Sequence, residues 1–448
     1  MRPPLFRQNA LRRAWNNSKQ VSGQIIVKEN STFAAKFFLF AARLCAKLLF
    51  CAKIVLMKRA ERNQAEVTRK GANRIRSGHL WIFKSDIRAV NADGGAIVTV
   101  LDERRKFLGK AFYSDKSEIA LRFITQDDVR IDKEFWRKRI VQAAKRRTTN
   151  NELQTNAQRL IFSEGDLISS LIVDVYADVF VMQTLSQGTE KLKQTFVEIL
   201  IEEFAPRAVV ERNDVRVRQK EELELTTGIL YGEAPEEIVI EQDGIKFYVS
   251  PLGGQKTGAF LDQRENRLAL RKYAFGKALD CFTFNGGFAL NLAQTCDEVT
   301  AIDVSEDAIE LAKRNAALNQ IENLKFEKAD VFDRLKDLET AGEKFDTIVL
   351  DPPAFAKNRQ NIESAMRGYK EINLKAFRLL NPNGILATCT CSFHAGEDLF
   401  LETVLAAAND ARRRVQLIEK RAQSSDHPIL LGVPETHYLK CLILRVLD

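Results

Sequence analysis

The sequence predicts an α/β protein whose C-terminal half is a doubly wound, Rossmann-like sheet, preceded by a small β-barrel module and a mixed α/β middle domain. Three observations support this. From about residue 250 short apolar runs alternate with helix-length segments, the rhythm of strands joined by crossover helices. Before residue 125 the runs are shorter and are broken at Asp93-Gly94-Gly95 and Ser114-Asp115, as in a β-rich module. The 448 residues suffice for two or three cores, and 45% hydrophobic with 29% charged residues is an ordinary soluble balance.

Residues 1–56 stand apart. They hold ten Lys/Arg and one acid, or +9, while the whole chain is +8, so residues 57–448 sum to −1. Nucleic-acid contact must therefore come from local patches rather than a global field. Phe33 to Leu56 reads as a helix long enough for a bilayer but interrupted by Lys36, Arg43, Lys47 and Lys53. The first three share one stripe, an interfacial pattern rather than a spanning one. No secretory cleavage signature follows. The segment is read as an extension ahead of Met57, in preference to an organelle presequence. A cytoplasmic protein is expected, and membrane contact by residues 33–56 is not favoured.

Residues 57–129 form the first predicted domain, with strands at Ala96–Leu101, Phe107–Phe112 and Ile119–Phe123. Its start, 57–84, carries eight Lys/Arg against Glu61 and Glu66. Arg74 and Arg76 lead there into Gly78-His79-Leu80-Trp81-Ile82-Phe83, and bases interleaved with aromatics can hold RNA by phosphate contact and stacking. The competing reading makes Trp81 and Phe83 barrel core, and for the side chains themselves it is preferred.

Residues 130–249 form the middle domain. A basic helix is expected over 130–160, strands at Leu167–Val173 and Val179–Leu185, and a helix at Glu190–Phe204. Strands at Ala208–Glu211 and Ile245–Val249 follow, with an acidic loop at Glu221-Glu222 and a turn at Asp243-Gly244. Residues 250–448 form the last domain, and from about residue 250 the rhythm changes to strand–helix alternation. Strands are placed at Lys277–Cys281, Glu298–Ile302, Leu324–Lys328, Thr347–Leu350 and Gly384–Cys389, the last continuing to Cys391. Helices fall at Gly287–Ala293, Ser305–Asn319, Ala365–Leu380 and Glu397–Asp410, and Val415–Lys420 with Tyr438–Arg445 make an antiparallel edge.

The chemistry lies at the strand ends. Asp280-Cys281-Phe282-Thr283-Phe284-Asn285-Gly286-Gly287 follows an apolar strand and opens a helix, where glycines allow a tight turn and close ligand approach. Asp303 ends the next strand, the usual place for a ribose partner, and Asp330 and Asp351 end two more. Ligands bind open α/β sheets at these ends, so the four positions line one crevice. Cys389 and Cys391 share a face if their strand runs on regularly, and periodicity alone does not choose between them. Seven cysteines without a CxxC pair and four histidines without ligand spacing predict neither a disulfide framework nor a metal. The sequence carries no oligomer signal, and a homodimer is left open.

The ordered set of strand ends resembles the class I S-adenosylmethionine-dependent methyltransferases. That resemblance implies Asp280 and the Asn285–Gly287 turn, with Phe282 and Thr283, around the methionine part, Asp303 on the ribose and Asp330 near the adenine. A nicotinamide dehydrogenase would explain neither Asp351-Pro352-Pro353 nor the cysteine strand.

Further strings narrow the match: Ser77–Phe83, Glu211-Arg212-Asn213-Asp214-Val215-Arg216, Gln255-Lys256-Thr257-Gly258-Ala259-Phe260-Leu261-Asp262-Gln263-Arg264, and Arg367-Gly368-Tyr369-Lys370-Glu371-Ile372-Asn373. With Asp426-His427-Pro428 and Pro434-Glu435-Thr436, they make most of residues 57–448 similar to the bacterial 23S ribosomal RNA large-subunit methyltransferases that form 5-methylcytosine. The resemblance implies an N-terminal PUA domain, a 23S ribosomal RNA partner, Cys391 as nucleophile, Asp351 beside the target base, and Phe260, Asp262, Gln263 and Arg264 closing the cofactor pocket. It places Cys389 silent inside the sheet. Lys370 and Arg264 are candidate phosphate contacts. Ala354 stands where many RNA cytosine-5 enzymes carry a second cysteine, so a one-cysteine catalyst is expected. The alternatives are a base-amine methyltransferase, kept open by Phe355, and an inactive RNA-binding or assembly protein.

Overall fold

The computed structural model describes residues 62–148, 155–253, 257–355 and 361–448. The amphipathic stretch expected at 33–56, and the whole extension 1–56, lie outside them. Among the described residues no helix is long and apolar enough to cross a membrane.

The strands gather in three larger sheets and a hairpin. The first sheet has six strands, in the order Trp81–Phe83, Ile119–Thr125, Phe107–Tyr113, Ile97–Leu101, Gln64–Val67 and Ile87–Asn91. The basic patch contributes the helix Arg69–Arg76, capped by Thr68 and anchored through buried Gly71, Ala72 and Ile75. Small and apolar residues at a three- to four-residue spacing turn this helix's charges outward.

The second sheet runs Thr227–Gly232, Ala208–Arg212, Val179–Thr184, Leu171–Tyr176 and Ala157–Phe162. The basic helix is shorter than predicted. It spans Lys133–Thr148, and the sheet takes Ala157–Phe162 as a strand. The strand predicted from Leu167 begins at Leu171, because Ser163–Asp166 form a helical turn that ends with Leu167 left-handed at φ 61°. The helix predicted at Glu190–Phe204 is two, Gln187–Lys191 and Lys193–Phe204. Glu221, read as part of an acidic loop, is buried and pairs with buried Arg122 of the first sheet at 2.8 Å. A hairpin, Ile238–Gln242 with Ile245–Val249, closes this part on the Asp243-Gly244 turn, where both residues have positive φ.

The C-terminal sheet has seven strands: β1 (Lys277–Cys281), β2 (Glu298–Asp303), β3 (Leu324–Lys328), β4 (Phe345–Leu350), β5 (Leu380–Thr390), β6 (Val415–Arg421) and β7 (Lys440–Val446). Their order is β3-β2-β1-β4-β5-β7-β6; the first five are parallel and β7 runs antiparallel to both β5 and β6, the predicted edge. Its helices are α1 (Arg264–Leu270), α2 (Gly287–Leu292), α3 (Glu306–Leu318), α4 (Val331–Thr340), α5 (Ile362–Leu379) and α6 (Glu397–Asp410). The period of two divides each strand between two cores. Leu279, Cys281, Ile348, Leu350 and Leu386 face Tyr369, Ile372, Phe377 and Phe400. Ala278, Val349, Ala387 and Cys389 face Ala269, Leu270, Phe288 and Leu292. Each fully buried Leu, Ile or Phe here contributes about 1.5–3 kcal/mol.

The segment between β6 and β7 ties the three sheets together. Asp426 accepts from the Arg159 backbone N–H at 2.7 Å and from the His427 ring at 2.7 Å, while its carbonyl accepts from Arg147 at 2.9 Å. Glu435 reaches His79 of the first domain at 3.3 Å, and Tyr438 donates to Asp262 at 2.7 Å.

Candidate functional site

The turn after β1 is built from alternating left-handed residues: Phe282 (φ 66°), Phe284 (φ 50°) and Gly286 (φ 83°). Two non-glycine residues in that region cost energy, and such strain gathers where a backbone must be aimed. Thr283 N donates to the Ile302 carbonyl at 3.0 Å and Phe284 N to Asp303 at 2.9 Å, pinning the turn to β2. At Gly287 a Cβ would stand 2.6 Å from the Arg267 guanidinium carbon, so a side chain there would displace Arg267.

Asp280 sits beneath this turn and is fully buried. Its Oδ2 accepts from Thr283 Oγ1 at 2.6 Å and from Ala289 N at 2.9 Å, whereas Oδ1 has no partner among the described residues. Burial raises this carboxyl to about 7, helped by the nearby Asp351 charge and opposed by those two hydrogen bonds and by Arg267. Asn285 Oδ1 is likewise buried and unpartnered. A buried carboxylate oxygen and an amide oxygen, neither with a donor among the described residues, suit the ammonium end of an amino-acid ligand. Asp303 lies half-buried, its carboxylate accepting from Phe284 N and Ser305 N. Asp330 is exposed and caps α4, accepting from Phe332 N at 2.8 Å and Asp333 N at 3.3 Å. Phe260 meets Phe284 edge-on at 4.9 Å.

The string before α1 packs against the floor of the crevice. Gln263 donates to Asp351 Oδ1 at 2.8 Å and is held by Asn266 at 2.7 Å. Arg264 is buried, 3.8 Å from Asp243, facing the hairpin turn rather than solvent. Asp262 is occupied by Tyr438. Arg267 is buried next to Asp351, Asp262 and Asp280; burial holds it below the usual arginine range although those acids pull it upward.

The two cysteines part company at the end of β5. The strand stops at Thr390. Cys389 is fully buried on the α1–α2 face opposite Cys441, and burial pushes its thiol well up. Cys391 lies beyond the strand and is partly exposed. The bend is held by side chains: Thr390 Oγ1 donates to Tyr369 OH at 2.8 Å, Ser392 Oγ lies 3.1 Å from the same hydroxyl, and Ser392 N donates to Thr390 Oγ1 at 3.2 Å. Phe355 packs at a tilt of 37° against Tyr369, with ring centroids 4.7 Å apart.

The residues singled out for RNA are spread differently. His79 is buried against Glu435, and Trp81 donates its ring N–H to Glu164 at 2.9 Å, so both turn inward to join the first sheet to its neighbours. Arg76 is exposed and paired with Asp102 at 2.7 Å, and Arg74 lies over the Phe83 ring at 4.7 Å. Lys370 is half-buried on α5, 2.7 Å from Asp410. Asn266, Arg267, Tyr369 and Lys440 were not singled out from sequence for the site. Asn266 and Arg267 continue the helical face begun by Gln263, a spacing that could have marked them.

Comparison with known proteins agrees with this geometry. Residues 65–126 match a PUA-like domain model and residues 276–428 a methyltransferase domain model. The chain is 44% identical over 379 residues to the ribosomal RNA large subunit methyltransferase I of Tolumonas auensis, covering 82% of this chain and 96% of that one. It is 42% identical to the protein of that name from Shewanella frigidimarina, with 82% and 95% covered. In fold it resembles a Streptococcus mutans structure described as a SAM-dependent methyltransferase, at a TM-score of 0.74 and 21% identity, over 86% of this chain and 100% of that one. From its turn of strained backbone to its tail, this chain belongs to the ribosomal RNA large subunit methyltransferase I family.

Proposed function

We propose that this chain methylates carbon 5 of a cytosine in 23S ribosomal RNA, with Cys391 as the nucleophile. The observation that carries the reading is the split at the end of β5, which leaves Cys389 buried and Cys391 partly exposed at the crevice mouth. Bound S-adenosylmethionine supplies an electrophilic methyl group. Asp280, Asn285 and the backbone of residues 282–287 would hold its amino-acid end, Asp303 its ribose, and Asp330 with Phe260 its adenine side. Asp262, Gln263 and Arg264 act from behind, by fixing Tyr438, Asp351 and the hairpin.

Carbon 5 of cytosine is a poor nucleophile. Addition of the Cys391 thiolate to carbon 6 moves the ring electrons to carbon 5 and places negative charge at the N3 edge. Asp351, oriented by Gln263, meets that edge as a hydrogen-bonding group. Once carbon 5 carries the methyl group, a base takes its proton, the electron pair re-forms the 5,6 double bond, and the thiolate leaves. The base would have to leave its stack or come from an open loop.

For the RNA, the outward face of helix Arg69–Arg76, with Arg74 and Arg76, is the phosphate-contacting surface; His79 and Trp81 support it from inside, and Lys370, paired with Asp410 at the C-terminal end of α6, is a further phosphate candidate. The competing amine chemistry needs an aromatic over the base, and Phe355 instead packs on Tyr369 and Phe332. Mass spectrometry of ribosomal RNA methylated by the wild type and by Cys391→Ala tests the reading. The variant is expected to bind S-adenosylmethionine and make no product; continued carbon-5 methylation by it would overturn the assignment.

A further inference from the structure

Lys440 is a buried lysine at the start of β7, in ladder register with Thr390. Residues opposite each other in a ladder share a face, so Lys440 lies on the Thr390–Tyr369 side, where the chain bends out to Cys391. Its ammonium donates to the carbonyl of Ser392, the residue after Cys391, at 3.3 Å, and to the Tyr438 carbonyl at 3.4 Å. A buried ammonium needs compensating negative charge, and two carbonyls supply only part of it.

Resting on the reading of Cys391 as nucleophile, we propose that Lys440 is the positioning residue that makes Cys391 reactive. Its fixed positive charge favours the thiolate when the thiol proton leaves to solvent. The other groups around the pair are Tyr369 from α5, Glu397 from the first turn of α6, His437 just before β7, and Lys420 on β6, which pairs with Glu397. Burial lowers the lysine's proton affinity, and Glu397 and Cys391 draw it back up. That coupling is reciprocal: a thiolate that raises the lysine is itself lowered by the lysine. A bare strand-end cap would use Lys440 for its hydrogen bonds alone.

The test is the pH dependence of iodoacetamide alkylation at Cys391 in the full chain, read by mass spectrometry of the peptide containing it. The sulfur displaces iodide, so the rate follows the thiolate fraction. Lys440→Gln keeps a donor for the two carbonyls and removes the charge; Lys440→Arg restores the charge. The glutamine variant is expected to move the alkylation midpoint up by about one pH unit or more, slowing alkylation about tenfold at neutral pH, with arginine moving it back. Lys440→Met serves the same purpose if glutamine does not fold, circular dichroism verifying the fold in each case. An unmoved midpoint in a folded, uncharged variant would overturn the inference and leave Lys440 a cap. The outcome is independent of the nucleophile test, because alkylation requires neither RNA nor methylation. Product from Cys391→Ala would remove the functional reading while leaving this thiol–lysine coupling measurable.

Discussion

The buried Asp280 carboxyl makes cofactor affinity depend on pH in a direction fixed by the structure. Without a ligand the carboxyl is fully buried, Oδ1 has no partner among the described residues, and burial raises the group to about 7. A ligand ammonium at Oδ1 favours the ionised form, so binding expels a proton from any molecule that holds one. With only the ionised form binding tightly, affinity follows the ionised fraction, about 3% at pH 5.5 and half at pH 7. The dissociation constant for S-adenosylmethionine is therefore expected to fall about 15-fold over that interval. Below pH 7 the ligand's own α-amine, titrating at about 7.7–8.0, stays protonated and does not confuse the reading. Isothermal calorimetry in two buffers of different ionisation enthalpy measures both the affinity and the released proton. Asp280→Asn should bind more weakly at pH 7 and lose the slope. The same shift acts on stability. A carboxyl raised on folding contributes stability that is present below the unfolded pKa and lost as pH climbs from about 4 to about 7. Ligand-free wild type should accordingly lose melting temperature over that window, and the asparagine variant should lose less. Affinity flat between pH 5.5 and 7, or an unchanged slope in Asp280→Asn, would refute the argument.

Two further outcomes bear on the end of β5. Cys389→Ala, which removes a buried sulfur on the far face, is expected to keep methylation near wild type and to cost about 1 kcal/mol in urea unfolding. Tyr369→Phe removes the hydroxyl shared by Thr390 and Ser392; it should cost about 1–3 kcal/mol of stability and lower kcat about tenfold with KM little changed, as single-turnover and steady-state assays would show.

Much of the C-terminal half was legible because strand and helix alternate with strong apolar runs. The positions of Asp280, Asp303, Asp330 and Asp351 at strand ends follow from that alternation alone. Two helices escaped it. In α4 the signal was present, an aspartate followed by apolar residues at 331, 335 and 338, but Asp330 was read as a ligand contact rather than as the cap it forms. Helix α1 is short and rich in charge, and its buried Arg264, Asn266 and Arg267 carry no apolar period. In the middle domain a run of basic residues extended the predicted helix into Ala157–Phe162, whose strand identity comes from pairing with Leu171–Tyr176. The fates of His79 and Trp81 were hidden for a related reason: their partners, Glu435 and Glu164, lie far along the chain. The choice between Cys389 and Cys391 depends on where a strand ends, and a tyrosine on a separate helix fixes that point.

The segment between β6 and β7 has a consequence for how such enzymes can be rebuilt. Asp426, Glu435 and Tyr438 each spend their side chains on a different part of the fold, reaching Arg159, His79 and Asp262 respectively. A catalytic half severed near residue 250 would leave Asp426 and its neighbours without the arginines they fold against, and a foreign RNA-binding module would find no partner for Glu435. Retargeting by exchange of parts therefore has to carry the tail along with the module it grips, and the inheritable unit is the whole assembly rather than its pieces.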